Sequence, residues 1–241
     1  MNKTILITGA SSGIGAACIS QAATRNLHII ATARNRDALL QLQTAHSNVQ
    51  VIVADIATDT GRNHIAAAIK QPIDYLLHNA AILDQPTDFS NQSLPDFRNN
   101  IVTNVEPIIF LTQKLLPQLH NSHAAARILS MSSGAATSAI AGIGNYCISK
   151  AAALMANALL KIELRKYQIL VNDYFPGVVD TNMQKTLRQA DHSVFPYALE
   201  FNKLKQENNL AKPMAVADHI IDVFCCSSDE EFVTGPWKFN N

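Results

Sequence analysis

The chain has 241 residues, 48% of them hydrophobic and 16% charged, a length that buries a core unaided and a composition unlike that of a disordered protein. Nineteen basic residues offset nineteen acidic ones, which argues against a large phosphate-neutralising face for nucleic acid. Four cysteines, none at metal-site spacing, are too few for a disulfide framework.

In chain order, the apolar run at 4–8 predicts a buried strand, followed by a Gly/Ser turn and a helix over 14–24. Residues 28–33 predict a second strand, 37–46 a helix with Leu39, Leu40 and Leu42 inward, and 49–54 a third strand. Thr58 is placed to cap a helix reaching Lys70. Strands four to six are expected at 73–78, 127–131 and 169–175, with a weak seventh at Phe232-Val233. Long helices are expected at 96–119 and 146–167.

This alternation implies an α/β fold: a single Rossmann-type doubly wound parallel sheet of about seven strands with helices on both faces, one domain over 1–241. The stretch 180–212 is polar, weakly periodic and long, which suits a substrate lid better than a spacer. The chain enters its first strand after three residues, leaving no room for a signal peptide, and its one long uncharged stretch, 128–149, is broken by Ser, Gly, Asn and Thr. A cytoplasmic, reducing setting with no membrane contact is expected, in which Cys18 and Cys147 serve as small apolar fillers.

The turn Thr8-Gly9-Ala10-Ser11-Ser12-Gly13-Ile14-Gly15 joins the first strand to the first helix. Glycines there permit a tight turn, close backbone approach to a pyrophosphate and close helix-on-strand packing, while the helix start offers free N–H groups and a positive dipole end. The spacing is Gly-x-x-x-Gly-x-Gly rather than the Gly-x-Gly-x-x-Gly of most dinucleotide folds. The second strand ends Ala33-Arg34. An acid there would bind ribose hydroxyls and repel a 2′-phosphate, whereas a guanidinium can fork onto one, with Arg36 assisting, so NADPH is favoured over NADH.

The turn resembles that of the short-chain dehydrogenase/reductase family, and separated residues extend the likeness over roughly 3–185: Asp55 after the third strand, Asn79-Ala80 after the fourth, Asn104, Ser133, Tyr146 with Lys150, and Pro176-Gly177 with Thr181. The resemblance implies an NAD(P)-dependent oxidoreductase acting on CH–OH/C=O groups. Its cofactor would lie on Gly9, Ser11, Ser12, Gly13, Ile14 and Gly15, with Asp55 and Ile56 near the adenine and Asn79 and Ala80 on the cleft wall. Pro176, Gly177, the backbone of Val179 and the Thr181 hydroxyl would hold the carboxamide, and Tyr146 and Lys150 the nicotinamide ribose.

Tyr146 and Lys150, at i and i+4, share one helix face. Hydride addition to a ketone creates an alkoxide that must be protonated as it forms. A free tyrosine, with pKa about 10, is mismatched to neutral pH by roughly 4 kcal/mol, a gap that a nearby ammonium narrows. By resemblance, Tyr146 is the general acid, Lys150 lowers its pKa, Ser133 binds the carbonyl oxygen and Asn104 anchors a proton-relaying water. Ser132 competes with Ser133, but the family's spacing of thirteen residues before the tyrosine selects Ser133.

Ala81 stands where the family usually has Gly, and Pro107 is placed to loosen a helix just after Asn104. The stretch 176–184 resembles the sepiapterin reductase and benzil reductase branch, which implies a ketone or 1,2-dicarbonyl substrate; no acid near the C-terminus is available to anchor a pterin. The lid offers Met183, Leu187, Val194, Phe195, Tyr197, Leu199 and Phe201 as an apolar or aromatic pocket, with Trp237 able to join, so a hydrophobic, aromatic substrate is expected. His120 and His123 lack a third ligand and read as surface, so no metal is expected. Leu111, Leu115, Leu116 and Leu119 read as core; family resemblance implies that this helix and the Tyr146 helix pair in a homodimer or homotetramer. Two alternatives remain: a nucleotide-bound regulatory protein with vestigial chemistry, and an NAD-linked alcohol dehydrogenase.

Overall fold

The run Ile5-Leu6-Ile7 forms the middle of β1 (Thr4–Thr8), buried at every position because helices cover both faces of the strand. The computed structural model describes residues 2–240. From β1 the chain passes through α1 (Gly13–Thr24), β2 (His28–Ala33), α2 (Arg36–Ala45), β3 (Val49–Val53), α3 (Asp59–Ala68) and β4 (Tyr75–His78). Next come α4 (Leu94–Asn104), α5 (Glu106–Lys114), α6 (Leu116–His120), β5 (Arg127–Met131), α7 (Gly144–Glu163) and β6 (Leu170–Phe175). The chain closes with α8 (Asn182–Arg188), α9 (Tyr197–Gln206), α10 (Pro213–Cys226), α11 (Asp229–Val233) and β7 (Trp237–Lys238).

The strands form one parallel sheet in the order β3-β2-β1-β4-β5-β6-β7, the expected doubly wound arrangement. Strand alternation sorts the side chains into two cores. Ile5 and Ile7 face one with Ile29, Ile221 and Phe224; Leu6 faces the other with Ile30, Ile65 and Leu111. Strand order reverses between β1 and β4, and the two chains leaving their C-terminal ends diverge to opposite faces, which opens a crevice there.

Two expectations are corrected. The helix expected over 96–119 is three helices, because Pro107 and Pro117 have no N–H to continue the ladder, and the chain resets at Val105 and Leu115. Phe232-Val233 is not a strand but the end of α11, whose capping box joins Ser228 and Glu231; the seventh strand is Trp237–Lys238. Phe232 is buried because the Arg127 guanidinium lies over its ring at 5.2 Å and α10 packs beside it. The stretch 180–212, which shows little periodicity, contains α8 and α9. Cys18 and Cys147 are buried free thiols.

Arg127 closes the C-terminal end of α10 from the sheet. Its guanidinium donates to Phe224 O and Ser227 O, both at 2.8 Å, and pairs with Asp229 at 2.8 Å. In Arg127→Met these carbonyls lose their donors inside the protein, so we expect a loss of about 2–3 kcal/mol in urea unfolding with the fold retained.

Candidate active site

The β1–α1 turn lies against the end of β4 more closely than a side chain would allow. Gly9 has φ +65°, and a Cβ there would lie 2.7 Å from the backbone of Ala80. At Gly15 a Cβ would lie 2.4 Å from Gly9 O and 2.6 Å from Asn79 Nδ2. Polar bonds seal the same junction. Thr8 Oγ1 accepts from the Asn79 and Ala80 amides at 3.0 and 3.1 Å, and Asn79 Nδ2 donates to Thr8 O and Gly9 O at 2.9 and 3.1 Å. The Asn79 amide nitrogen therefore joins the two strand ends, although the residue also lines the cleft.

That cleft, about 620 Å³, runs across the crevice. Of the residues expected at a cofactor, Gly9, Ser11, Ser12, Gly13, Ile14, Arg34, Asp55, Ile56, Asn79, Ala80, Tyr146, Lys150, Pro176 and Thr181 line it. Gly15, Gly177 and Val179 do not. Gly15 underlies the turn, Gly177 takes φ +70° to leave β6, and Val179 is buried in a bridge to Ala211. The strand-end residues Thr32 and Met131 also line it, unforeseen because residues there are assigned from their apolar pattern alone.

Two buried hydroxyls on the wall, Thr32 Oγ1 near β3 and Ser132 Oγ beyond β5, have no partner. The glycine cradle, the helix start and these waiting donors fit an extended dinucleotide. Arg34 and Arg36 are exposed and join none of the ion pairs among the described residues.

At the inner end α7 presents Tyr146 and Lys150, both buried. Burial pushes the Tyr146 phenol up to about 12, with the Ser133 hydroxyl bonding it and pulling the other way. Burial lowers Lys150 to about 8, and its Nζ donates to Met131 O at 2.8 Å, 5.7 Å from the Tyr146 ring centre. Ser133 and Ser132 are thus separated: Ser133 turns toward Tyr146 and accepts from the Ala135 amide at 3.2 Å, while Ser132 faces the cleft wall.

Asn104 lies outside the cleft lining, with its side chain committed to protein groups. Oδ1 accepts from the Ile82 amide at 2.8 Å; Nδ2 donates to Ile82 O at 3.0 Å and to Ser149 Oγ at 2.9 Å. The side chain is therefore largely committed to the protein. Past the break before Pro107, the Ile108 amide donates to Val105 O at 3.1 Å instead of to Asn104 O, which leaves that main-chain oxygen without a helix partner.

The aromatic pocket expected of 180–212 is also corrected. Phe195 is 0% exposed, packed with Leu187 under Tyr146 and Cys147 and against the rings of Tyr197 and Phe201. Leu199 points outward at 63% exposure, and Met183 is the one residue of that set on the cleft. Trp237 sits on β7 beside His219, its Nε1 donating to Phe232 O at 3.2 Å. Burial in a third, smaller core beats lining the pocket, because Leu83, Ile140, Leu187 and these rings together cover the start of α7. His123 Nδ1 lies 3.2 Å from Asp74 Oδ1, and among the described residues no group of three or more His, Cys, Asp or Glu could hold a metal.

The fold and this residue set define a class, that of nucleotide-dependent oxidoreductases built on a doubly wound sheet. The family model for short chain dehydrogenases matches residues 3–192, and the chain belongs to that family. It is 26% identical over 244 residues to a benzil reductase ((S)-benzoin forming) of Bacillus cereus, covering 97% of each chain. Its fold matches that of a short chain dehydrogenase/reductase from Saccharomyces cerevisiae with TM-score 0.90 at 24% identity, covering 100% of this chain and 97% of the other. It also matches L-sorbose reductase from Gluconobacter frateurii, solved with NADPH and L-sorbose, with TM-score 0.84 at 22% identity, covering 99% and 95%. Among the described residues no helix is long and apolar enough to cross a membrane.

The lysine sets a pH signature. In the folded protein Lys150 releases its proton near 8, against 10.5 for an ordinary lysine, so between those values the unfolded chain binds more protons and stability rises with pH. Below about pH 8 both states hold the proton and the burial penalty is present in full. Lys150→Met is expected to lose this rise, as measured by urea unfolding of the cofactor-free protein at the two ends of that window.

Proposed function

We propose that the protein is an NADPH-dependent reductase of ketones or 1,2-dicarbonyls, cytoplasmic and homo-oligomeric, in which Tyr146 is the general acid. The observation that carries this reading is the buried pair of Tyr146 and Lys150 at the inner end of a cleft whose outer end is a glycine cradle, with half-buried Ser133 beside the tyrosine. A bound nicotinamide dinucleotide supplies the hydride.

Gly9, Ser11, Ser12, Gly13 and Ile14 approach its pyrophosphate over Gly15, and Asp55 and Ile56 flank the adenine side. Arg34, exposed at the end of β2 and without an acidic partner, receives the 2′-phosphate. Asn79, Ala80 and Pro176 shape the wall, Gly177 turns the chain out of β6 behind it, and the Val179 backbone and the Thr181 hydroxyl hold the carboxamide end. The Ser133 hydroxyl orients the substrate oxygen, and the Tyr146 hydroxyl gives it a proton. Lys150, its pKa lowered by burial, regains positive charge as negative charge develops on the phenol, favours the phenolate and holds the ribose. The main-chain oxygen of Asn104 holds the relay water behind it. The segment 180–212, reaching the cleft through Met183, forms the substrate lid of a single catalytic domain.

Likeness to a benzil reductase favours aryl diketones as first substrates. NADPH oxidation with benzil is expected to exceed NADH oxidation by at least about tenfold. Tyr146→Phe is expected to lose turnover by on the order of a thousandfold. Ser133→Ala should fall far more than Ser132→Ala, and Arg34→Asp should weaken NADPH binding without weakening NADH. NADPH binding with no carbonyl reduced would instead make the chain a nucleotide-binding regulatory protein.

An apolar stripe on α7 supports self-association. Ile148, Met155, Leu159 and Ile162 recur on one helix face, with Met155 at 71% and Ile162 at 73% exposure, and Phe110 of α5 is also exposed. Light scattering is expected to give a dimer or tetramer, and Met155→Glu with Ile162→Glu a monomer.

A further inference from the structure

A chain of polar side chains, half-buried at Asp84 and buried beyond it, encloses the helix turn that carries the tyrosine. Asp84, in the loop after β4, accepts a hydrogen bond through its carboxylate from the side-chain amide of Asn100 on α4, and it shares a small cavity with Asn145 of α7, whose amide favours the carboxylate form. Asn100, fully buried, accepts from Asn104 Nδ2 at 3.3 Å. Asn104 Nδ2 donates to Ser149 Oγ at 2.9 Å, and Ser149 Oγ donates to the main-chain oxygen of Tyr146 at 2.8 Å. The chain thus leaves α7 at Asn145, immediately before Tyr146, and returns to it at Ser149, three residues after.

The same turn lacks the ordinary means of fixation: Ile143 caps α7 and makes no side-chain capping bond. The loop bearing Asp84 also docks on it, with the Thr87 amide bonded to Gly142 O at 2.9 Å and Gln92 filling the space where a Cβ on Gly144 would sit. We propose that Asp84 is a positioning residue, a carboxylate that locks α4 to the first turn of α7 through Asn100 and Asn145 and so fixes where Tyr146 presents its hydroxyl. Its effect on turnover rests on the catalytic reading of Tyr146 given above; its effect on the helix turn does not.

A carboxylate is required because it accepts from two amides and donates to neither. An asparagine at 84 offers one acceptor and turns its own NH2 against the second amide. An exchange of partners restores the pattern between 84, 100 and 104, and gives up only the bond that Asn100 Nδ2 makes to Asp96 O at 3.1 Å. In the double variant Asp84→Asn/Asn100→Asp, residue 84 donates to the new carboxylate and still accepts from Asn145, while residue 100 still accepts from Asn104.

The test compares wild type, Asp84→Asn and the exchanged pair by three readouts: NADPH affinity by fluorescence, kcat per NADPH-binding site with benzil, and hydrogen exchange of the backbone amides at 144–150. Asp84→Asn is expected to keep NADPH affinity, lower kcat by about tenfold and quicken exchange in that segment. The exchanged pair is expected to recover both to within about threefold of wild type. The proposal is overturned if Asp84→Asn keeps wild-type exchange and kcat, if it loses only folded protein at constant kcat per site, or if the exchanged pair recovers neither readout. Should the wild type reduce no carbonyl, the proposed function falls, and the exchange measurement alone still decides the positioning role.

Discussion

The close seating of the β1–α1 turn on the end of β4 is the contact on which the site depends. Neither Gly9 nor Gly15 can carry a side chain there, because backbone or the Asn79 amide already occupies the space. The Thr8 hydroxyl and the Asn79 amide then join the two strand ends by four hydrogen bonds. The contact fixes the start of α1 relative to β4 and gives the crevice between diverging elements its floor. Were the turn held further off, the helix N–H groups and the inner wall would not border the same cleft.

The other half of the site is held by burial. In the cofactor-free protein Tyr146 and Lys150 are both driven toward their neutral forms, the phenol upward and the amine downward, because neither charge is solvated. A positive group brought into the cleft favours the phenolate, and negative charge developing there favours the ammonium. The pair is therefore responsive to charge in the cleft in a way that a solvent-exposed tyrosine and lysine are not. Responsiveness needs fixed geometry, which comes from outside α7, through Asn104 bonding Ser149 of that helix and the packing of Phe195 beneath its first turn.

The segment from Thr181 onward is tied at its neck rather than along its length. Val179 bridges Ala211, the Asp180 amide donates to Ala211 O at 2.9 Å, and the Ala211 amide donates to Val178 O at 3.0 Å. The Asp180 carboxylate pairs with Arg188 at 3.4 Å and Lys205 at 2.5 Å, gathering α8 and α9 onto the same point. Lys205 and Asp180 are partly solvated, so these pairs orient the helices more than they stabilise them.

By itself the sequence determined the order of strands and helices, the parallel sheet, the glycine turn and the tyrosine and lysine on one helix face. Each is written in local signals: unbroken apolar runs, glycines without alternatives, and i, i+4 spacing. The loosening at Pro107 was legible for the same reason, whereas the full breaks at Val105 and Leu115 were not. The seventh strand was not, since two residues on a sheet edge carry no periodicity, and Phe232 owes its burial to Arg127, about a hundred positions away in the chain. Only the tertiary structure decided that the lid's phenylalanine is a prop under α7, that the Asn104 side chain is already committed, and that Asp84 reaches Asn100 and Asn145. Those outcomes depend on which buried donor meets which acceptor across segments distant in sequence, and a polar residue's own neighbours in the chain do not say which partner it will find.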